Sequence, residues 1–197
     1  GVETAIRVAC PADSGDPDQV TSPHLAALIS TGDTERIAKA LLILDANWSR
    51  YRGYLEAVRY YGQRNPGVGY GKAPTAFRKL LRDSDWIPTK EHGLCSPSEV
   101  CLDVEANRSL LGDNVPYLAI NLSSEDFIKD LCIQTKPTVE AVLSCLAGLA
   151  EEKIEDVDQF RRLYRFLDDQ FDSGSGAISA AFKSQPLIYV PGQQRRF

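Results

Sequence analysis

Residues Ala76 to Val100 read AFRKLLRDSDWIPTKEHGLCSPSEV, and the fold class turns on this stretch. Its first part places Phe77, Leu80 and Leu81 on one side and charges on the other, the pattern of an amphipathic helix. Trp86-Ile87-Pro88 is then a short apolar strand closed by proline. Thr89 to Gly93 forms a polar turn, and a second short segment returns toward Pro97-Ser98-Glu99-Val100, which reads as a single turn. The first half of this unit has a partial echo in Ala180-Ala181-Phe182-Lys183-Ser184-Gln185-Pro186-Leu187-Ile188-Tyr189. The echo predicts a helix-to-hairpin unit repeated in an extended array, its second copy cut short at Phe197. On that reading Leu187–Val190 stays unpaired or finds a makeshift partner.

Working outward, the chain is mostly helical signal. Pro11, Gly15, Pro17, Asp13, Asp16 and Asp18 make residues 1–22 a loop or poorly ordered entry. Ser22-Pro23 opens a short helix that ends at Gly32, and Asp33 caps the next. From there Ile37, Leu41, Leu44, Trp48, Tyr51, Leu55 and Val58 recur at steps of four and three. That spacing predicts one helix over 33–61, about 28 residues and roughly 40 Å long. The same steps fit a coiled coil, but Trp48, Tyr51 and Gly53 are poor zipper residues, so packing within a helical array is preferred.

Gln63 to Lys72 (QRNPGVGYGK) is read as a glycine-rich connector. It is not a phosphate loop: Gly67 and Gly71 are too close together, Lys72 is followed by Ala73, and a helix rather than a strand precedes it. Ser123-Ser124-Glu125-Asp126 is a helix start with a hydroxyl cap and acids in the first turn. Pro137-Thr138 opens another helix. Asp156, with Gln159 three residues on, resembles a capping box for a helix with Phe160, Leu163, Tyr164, Leu167 and Phe171 on one face. Its other face carries pairs such as Asp158–Arg162 and Arg165–Asp169 at ion-pair spacing. Asp172–Gly176 (DSGSG) reads as a flexible hinge before a last helix from about Ala177 to Ser184. The fold class is therefore mostly α, a helical array with short β-hairpin insertions. Three segments are expected: an entry over 1–22, a helical segment with its connector over 23–72, and a helix-hairpin-helical module over 73–197.

The bulk numbers narrow the function. A chain of 197 residues can bury a sizeable core, and 43% hydrophobic with 25% charged content is ordinary for a globular protein. A net charge of -5 argues against generic nucleic-acid binding. No apolar run approaches the roughly 20 residues of a membrane span. The N-terminus GVETAIRVAC lacks the pattern of a signal peptide. Cys10, Cys95, Cys101, Cys132 and Cys145 are odd in number and contain no C-x-x-C pair, which fits free thiols in a reducing cytoplasm. The absence of methionine and the abrupt stop at Gln193–Phe197 suggest a piece of a longer polypeptide.

Candidate sites are few. Lys72, Arg78, Lys79 and Arg82 form the one basic patch, a candidate surface for a partner. His92 and Cys95 lie close together after Trp86, but one loose pair falls short of a zinc site, and neither an orienting third group nor an oxyanion pocket is marked. No catalytic, cofactor-binding or metal-ligating residue is assigned, and no cofactor is expected.

The order of motifs resembles the regions downstream of the ATPase domain in large sacsin-like and NO VEIN-like proteins. The matching pieces are Asn47-Trp48-Ser49-Arg50-Tyr51, Trp86-Ile87-Pro88-Thr89 with Gly93 and Pro97-Ser98-Glu99, and Leu111-Gly112-Asp113-Asn114-Val115-Pro116-Tyr117-Leu118. Pro137-Thr138 and Pro186-Leu187-Ile188-Tyr189-Val190-Pro191-Gly192 complete the set, so the resemblance covers most of residues 23–192. In such proteins a nucleotide-binding domain like that of Hsp90, gyrase B and histidine kinases precedes long helical regions. The resemblance implies chaperone-like, scaffolding or defence-associated roles. The ATPase motifs have no counterpart here, so no nucleotide-binding residue is carried over.

The expected function is thus a non-enzymatic interaction, regulatory or scaffold module of a larger cytoplasmic, ATPase-containing protein. Its partners would be other domains of that protein or a separate protein. The alternatives are a nucleic-acid-binding module using the 72–82 patch and a small hydrolase using Cys95 and His92.

Overall fold

The computed structural model describes residues 5–10, 16–59, 71–113, 115–152 and 154–189. Within them lie helices α1 (Pro23–Thr31), α2 (Thr34–Ala46) and α3 (Trp48–Tyr51), strands β1 (Glu56–Arg59) and β2 (Gly71–Pro74), and helix α4 (Ala76–Asp83). Strands β3 (Ile87–Pro88) and β4 (Leu94–Cys95) follow, then α5 (Glu105–Leu111), α6 (Glu125–Leu131), α7 (Val139–Glu151), α8 (Val157–Asp169) and α9 (Phe171–Ser184). The chain is mostly α, with two small two-stranded antiparallel sheets, β1–β2 and β3–β4.

The chain divides into two units. One unit takes residues up to Val100 and again Leu118–Ile133; the other takes Cys101–Tyr117 and everything from Gln134. Backbone pairing draws this line. Cys101 bridges in parallel to both Tyr117 and Gln134, whereas Leu118 bridges to Thr89. No proline or glycine cluster marks the crossings, so composition does not betray them.

In the first unit, Ser22 caps α1 through a bond from the Leu25 amide, and Asp33 caps α2 through the Arg36 amide. Ile37, Ala40, Leu41 and Leu44 are buried along α2. The single helix predicted over 33–61 does not form. It breaks at Asn47, whose side-chain amide donates to the Ile43 carbonyl at 2.9 Å and whose backbone leaves the helical region. One short helix (α3), a 3₁₀ turn at Arg52–Tyr54 and strand β1 follow. The apolar spacing survives the break because Trp48, Tyr51 and Leu55 remain buried, while Val58 is 41% exposed. Heptad-like spacing reports one buried face, and a chain that changes conformation can keep that face inward. The connector Gln63–Lys72 lies outside the described residues except for Gly71 and Lys72, which belong to β2.

The entry segment is pinned where it is described. Ala9 and Thr21 exchange backbone bonds of 2.7 and 3.1 Å, and Ser22 donates to the Arg7 carbonyl. Thr75, fully buried, caps α4 at Arg78 and donates its own hydroxyl proton to the Tyr54 carbonyl at 2.7 Å. Trp86, also fully buried, donates its indole N–H to the Leu81 carbonyl at the end of that helix. The expected hairpin follows, with Ile87 opposite Cys95 and Pro88 opposite Leu94.

The second unit gathers α5, α7, α8 and α9 around Leu111, Val142, Leu146, Leu149, Phe160, Leu163, Leu167 and Ile178. Thr138 caps α7 and Asp156 caps α8. On the exposed face of α8 Arg161 pairs with Asp158 at 2.7 Å. The Asp172–Gly176 hinge is corrected: these residues lie inside α9, which begins at Phe171. A Cβ on Gly174 would come within 3.1 Å of the Val139 side chain, so this glycine admits a close approach of α9 to α7 instead of loosening the chain. Leu187–Tyr189 has no strand partner among the described residues, and Val190 lies outside them.

Gly112 ends α5 at φ 64°, ψ −150°, a region essentially reserved for glycine, and a Cβ there would sit 2.8 Å from the Gln159 side-chain nitrogen. Gly112→Ala is expected to cost about 1–3 kcal/mol in chemical denaturation. Cys132 ends α6 at φ 65°, ψ 25°, where a side chain is strained. Cys132→Gly is expected to raise stability by roughly 0.5–1 kcal/mol, since strain relief outweighs the added freedom of the unfolded chain.

Candidate functional site

The four basic residues of the candidate patch come together in the first unit, Lys72 from β2 and the other three from α4. Capping by Thr75 and burial of Phe77 and Leu81 set which face of α4 carries Arg78, Lys79 and Arg82. Each cation has an acceptor within the same unit. Arg78 pairs with Glu56 at 3.1 Å, and Lys72 lies 3.9 Å from the other oxygen of that carboxylate. Lys79 pairs with Asp18 at 3.0 Å. Arg82 donates from Nε to the backbone carbonyl of Asp130 at 2.6 Å, where a cation meets the carbonyl end of α6. Exposed pairs of this kind contribute only about 0.2–1 kcal/mol each. Their consequence for function is larger: two carboxylates, Glu56 and Asp18, partly offset the four cations of the patch. A surface that recruits a phosphate backbone needs cations left over for the ligand.

Beside Arg82 lies a denser polar cluster that was missed in the sequence. Asp130 accepts from the Trp48 indole at 3.0 Å and pairs with Arg52 Nε at 2.8 Å, while a terminal nitrogen of Arg52 reaches Asp126 at 2.8 Å. Trp48 also packs against Phe127, ring centroids 4.6 Å apart. Nearby Asp45, only 7% exposed, accepts from the Ser123 amide, the Ser123 hydroxyl and the Ser124 amide, each at 2.8 Å. The carboxylate oxygens are filled by these donors. The cluster holds α6 to α2 and α3 and presents no reactive group.

The hairpin does bring Cys95 and His92 near each other, but through the backbone. The Cys95 thiol donates to the His92 carbonyl at 3.7 Å, and the His92 amide donates to Thr89 Oγ1 at 3.1 Å. Thr89 Oγ1 in turn donates to the Gly93 carbonyl and lies 4.0 Å from the Cys95 sulfur. Burial pushes the Cys95 thiol up; the Thr89 bond opposes this, and Glu99 and Asp85 add to the rise. A nucleophilic cysteine requires the opposite shift.

In the second unit, Tyr117 donates to the Gly112 carbonyl at 2.6 Å, and Arg108 lies 4.5 Å over its ring. Arg108 also pairs with Asp103 and with Asp113. Burial raises the Tyr117 hydroxyl well above its ordinary value, and pushes the Cys101 thiol up to about 11. The Cys101 thiol donates to the Gln134 side-chain oxygen at 3.4 Å. Among the described residues no group of three or more His, Cys, Asp or Glu is placed to hold a metal ion. Among them, too, no helix is long and apolar enough to cross a membrane.

No family model matches the chain, and no solved structure does. It is similar to Protein NO VEIN of Arabidopsis thaliana, 23% identical over 178 residues, which is 86% of this chain and 6% of that protein. It is also similar to phosphoenolpyruvate carboxylase of Oenococcus oeni, 44% identical over 54 residues, which is 27% of this chain and 10% of that protein. The chain therefore spans a small fraction of the length of either. The first similarity extends over both units and supports a NO VEIN-like relationship; the second covers about a quarter of the chain.

Three outcomes are expected from this geometry. Asp45→Ala leaves three donors facing a vacated carboxylate site, and should lower stability by about 2–4 kcal/mol in urea or guanidinium titration. Thiol labelling at pH 8 should modify exposed Cys10 and Cys132 before Cys95; a Cys95 that reacts first would restore the nucleophile reading. The raised Cys101 value favours the protonated thiol in the folded state. Its contribution to stability is full below pH 9, the ordinary value, and fades as pH rises toward 11. Melting temperature followed from pH 8 to 11 should fall less steeply in Cys101→Ala than in the unaltered chain.

Proposed function

We propose that this chain is a non-catalytic helical module of a larger protein, which holds a partner or relays a conformational change. The observation that carries the reading is the disposition of its polar groups. The residues suited to chemistry or to phosphate binding are engaged in holding the fold: Lys72, Arg78, Lys79 and Arg82 with acceptors of their own unit, Asp45 and Asp130 with donors, and Cys95 as a thiol kept protonated. The similarity to NO VEIN over 86% of the chain agrees with a module embedded in a long polypeptide. The finer reading is that the larger protein carries an Hsp90-like ATPase domain, works in the cytoplasm and has a chaperone-like or defence-associated role, as the motif resemblance implies. The partner would then be another domain of that protein or a separate protein.

Calorimetric titration of the chain with ATP and magnesium should give no binding heat; micromolar affinity would overturn the reading. A band-shift assay near 0.15 M salt should leave duplex DNA unretarded. Retardation that vanishes when Lys72, Arg78, Lys79 and Arg82 are reversed to glutamate would move the function to nucleic acid.

A further inference from the structure

The final described residues of the chain are bound to it much as a peptide ligand would be. Gln185 leaves α9 in an extended conformation, and Pro186 has no amide proton to donate. Over the next three residues the side chains alternate as in a strand. Leu187 is 2% exposed, Ile188 is 67% exposed, and Tyr189 turns inward again. Leu187 enters the core of the second unit. The Tyr189 ring stacks on Phe160 of α8, centroids 4.4 Å apart and planes 6° from parallel.

Backbone recognition is supplied by one side chain. The Tyr164 hydroxyl donates to the Leu187 carbonyl at 2.7 Å and accepts from the Tyr189 amide at 2.7 Å. These two groups lie on the same edge of an extended chain, so one phenol does for this segment what a neighbouring strand would otherwise do. Tyr164 is held between Phe160 and Phe182, with ring centroids 6.1 and 6.4 Å away.

We propose that Phe160, Tyr164 and Phe182 form a groove for an extended peptide of the pattern apolar–any residue–aromatic. Leu187–Tyr189 is its resident, displaceable occupant, and a partner segment of the same pattern takes its place. The occupant itself states the chemistry that the groove selects: an aliphatic side chain into the core, an aromatic ring on Phe160, and a carbonyl and an amide two residues apart for the Tyr164 hydroxyl. Displacement would break no helix or sheet: among the described residues Leu187–Tyr189 belongs to neither, and the Tyr164 hydroxyl ties its backbone to α8. The proposal rests on the interaction-module reading only for the identity of the natural partner; the groove is tested separately.

A labelled peptide corresponding to residues 184–189 (SQPLIY) is titrated, by fluorescence anisotropy, into the full chain and into the full chain carrying Leu187→Ser with Tyr189→Ser. The altered chain should bind the peptide at least about tenfold more tightly than the unaltered one, because its groove is vacant. Adding Tyr164→Phe should weaken that binding by about tenfold. Equal binding by both chains, or binding by neither with circular dichroism unchanged, overturns the proposal. If the altered chain fails to fold, hydrogen exchange of the unaltered chain decides. The Tyr189 amide should exchange at least about tenfold faster than the amides of Leu163 and Leu167 in α8. Exchange of all three together would mean that the segment opens only with its unit, and would also overturn the proposal. A chain that takes the peptide and also binds ATP keeps the groove and loses the non-catalytic reading.

Discussion

The first unit depends on a carboxylate that the chain cannot leave unsatisfied. Asp45 sits near the end of α2, is almost wholly buried, and accepts three hydrogen bonds from Ser123 and Ser124, nearly eighty residues away. A buried ion without donors would cost several kcal/mol, so the pairing selects one seating of the Ser123–Leu131 segment against α2. Once α6 is seated there, Phe127 meets Trp48, Asp130 meets the Trp48 indole and Arg52, and the carbonyl of Asp130 receives Arg82. Each of these contacts involves a residue that would look, in isolation, like surface charge or a site. Together they are the attachment of one helix.

The second unit uses tyrosines for the same purpose. Tyr117 ties its loop to the end of α5 through the Gly112 carbonyl, and Tyr164 gathers the extended Leu187–Tyr189 segment. A phenol suits this work because the ring is buried as apolar surface while the hydroxyl both donates and accepts. The consequence for function is indirect. Under the proposed reading, a chain whose described acids, cations and thiols hold loops and helix ends would meet a partner through shape and apolar surface.

Several helix starts were legible in the sequence because a short-range bond makes them. Ser22, Asp33, Ser124 and Asp156 all cap as their positions indicate, each through an amide three residues on. The hairpin at Trp86–Cys95 was legible for the same reason, since proline, turn residues and glycine act locally. Three features were read differently. The apolar spacing across Asn47 signals burial and not helix continuity; Gly174 serves helix contact and not bending; and the basic face of α4 is offset by Glu56, Asp18 and the end of α6.

What the sequence determined by itself was therefore the class and much of the punctuation: a mostly helical chain with a hairpin at Trp86–Cys95, its helices begun by caps that reach across a few residues. The tertiary structure alone decided that the chain leaves one unit at Val100 and returns at Leu118, and that the basic patch is offset. It also decided that Asp45 is a structural centre and that Leu187–Tyr189 is held by a single phenol. The physical reason is range. Propensity and capping act over three or four residues, whereas the bonds that settle these questions join residues from 16 to 79 positions apart, a separation on which local pattern has no purchase.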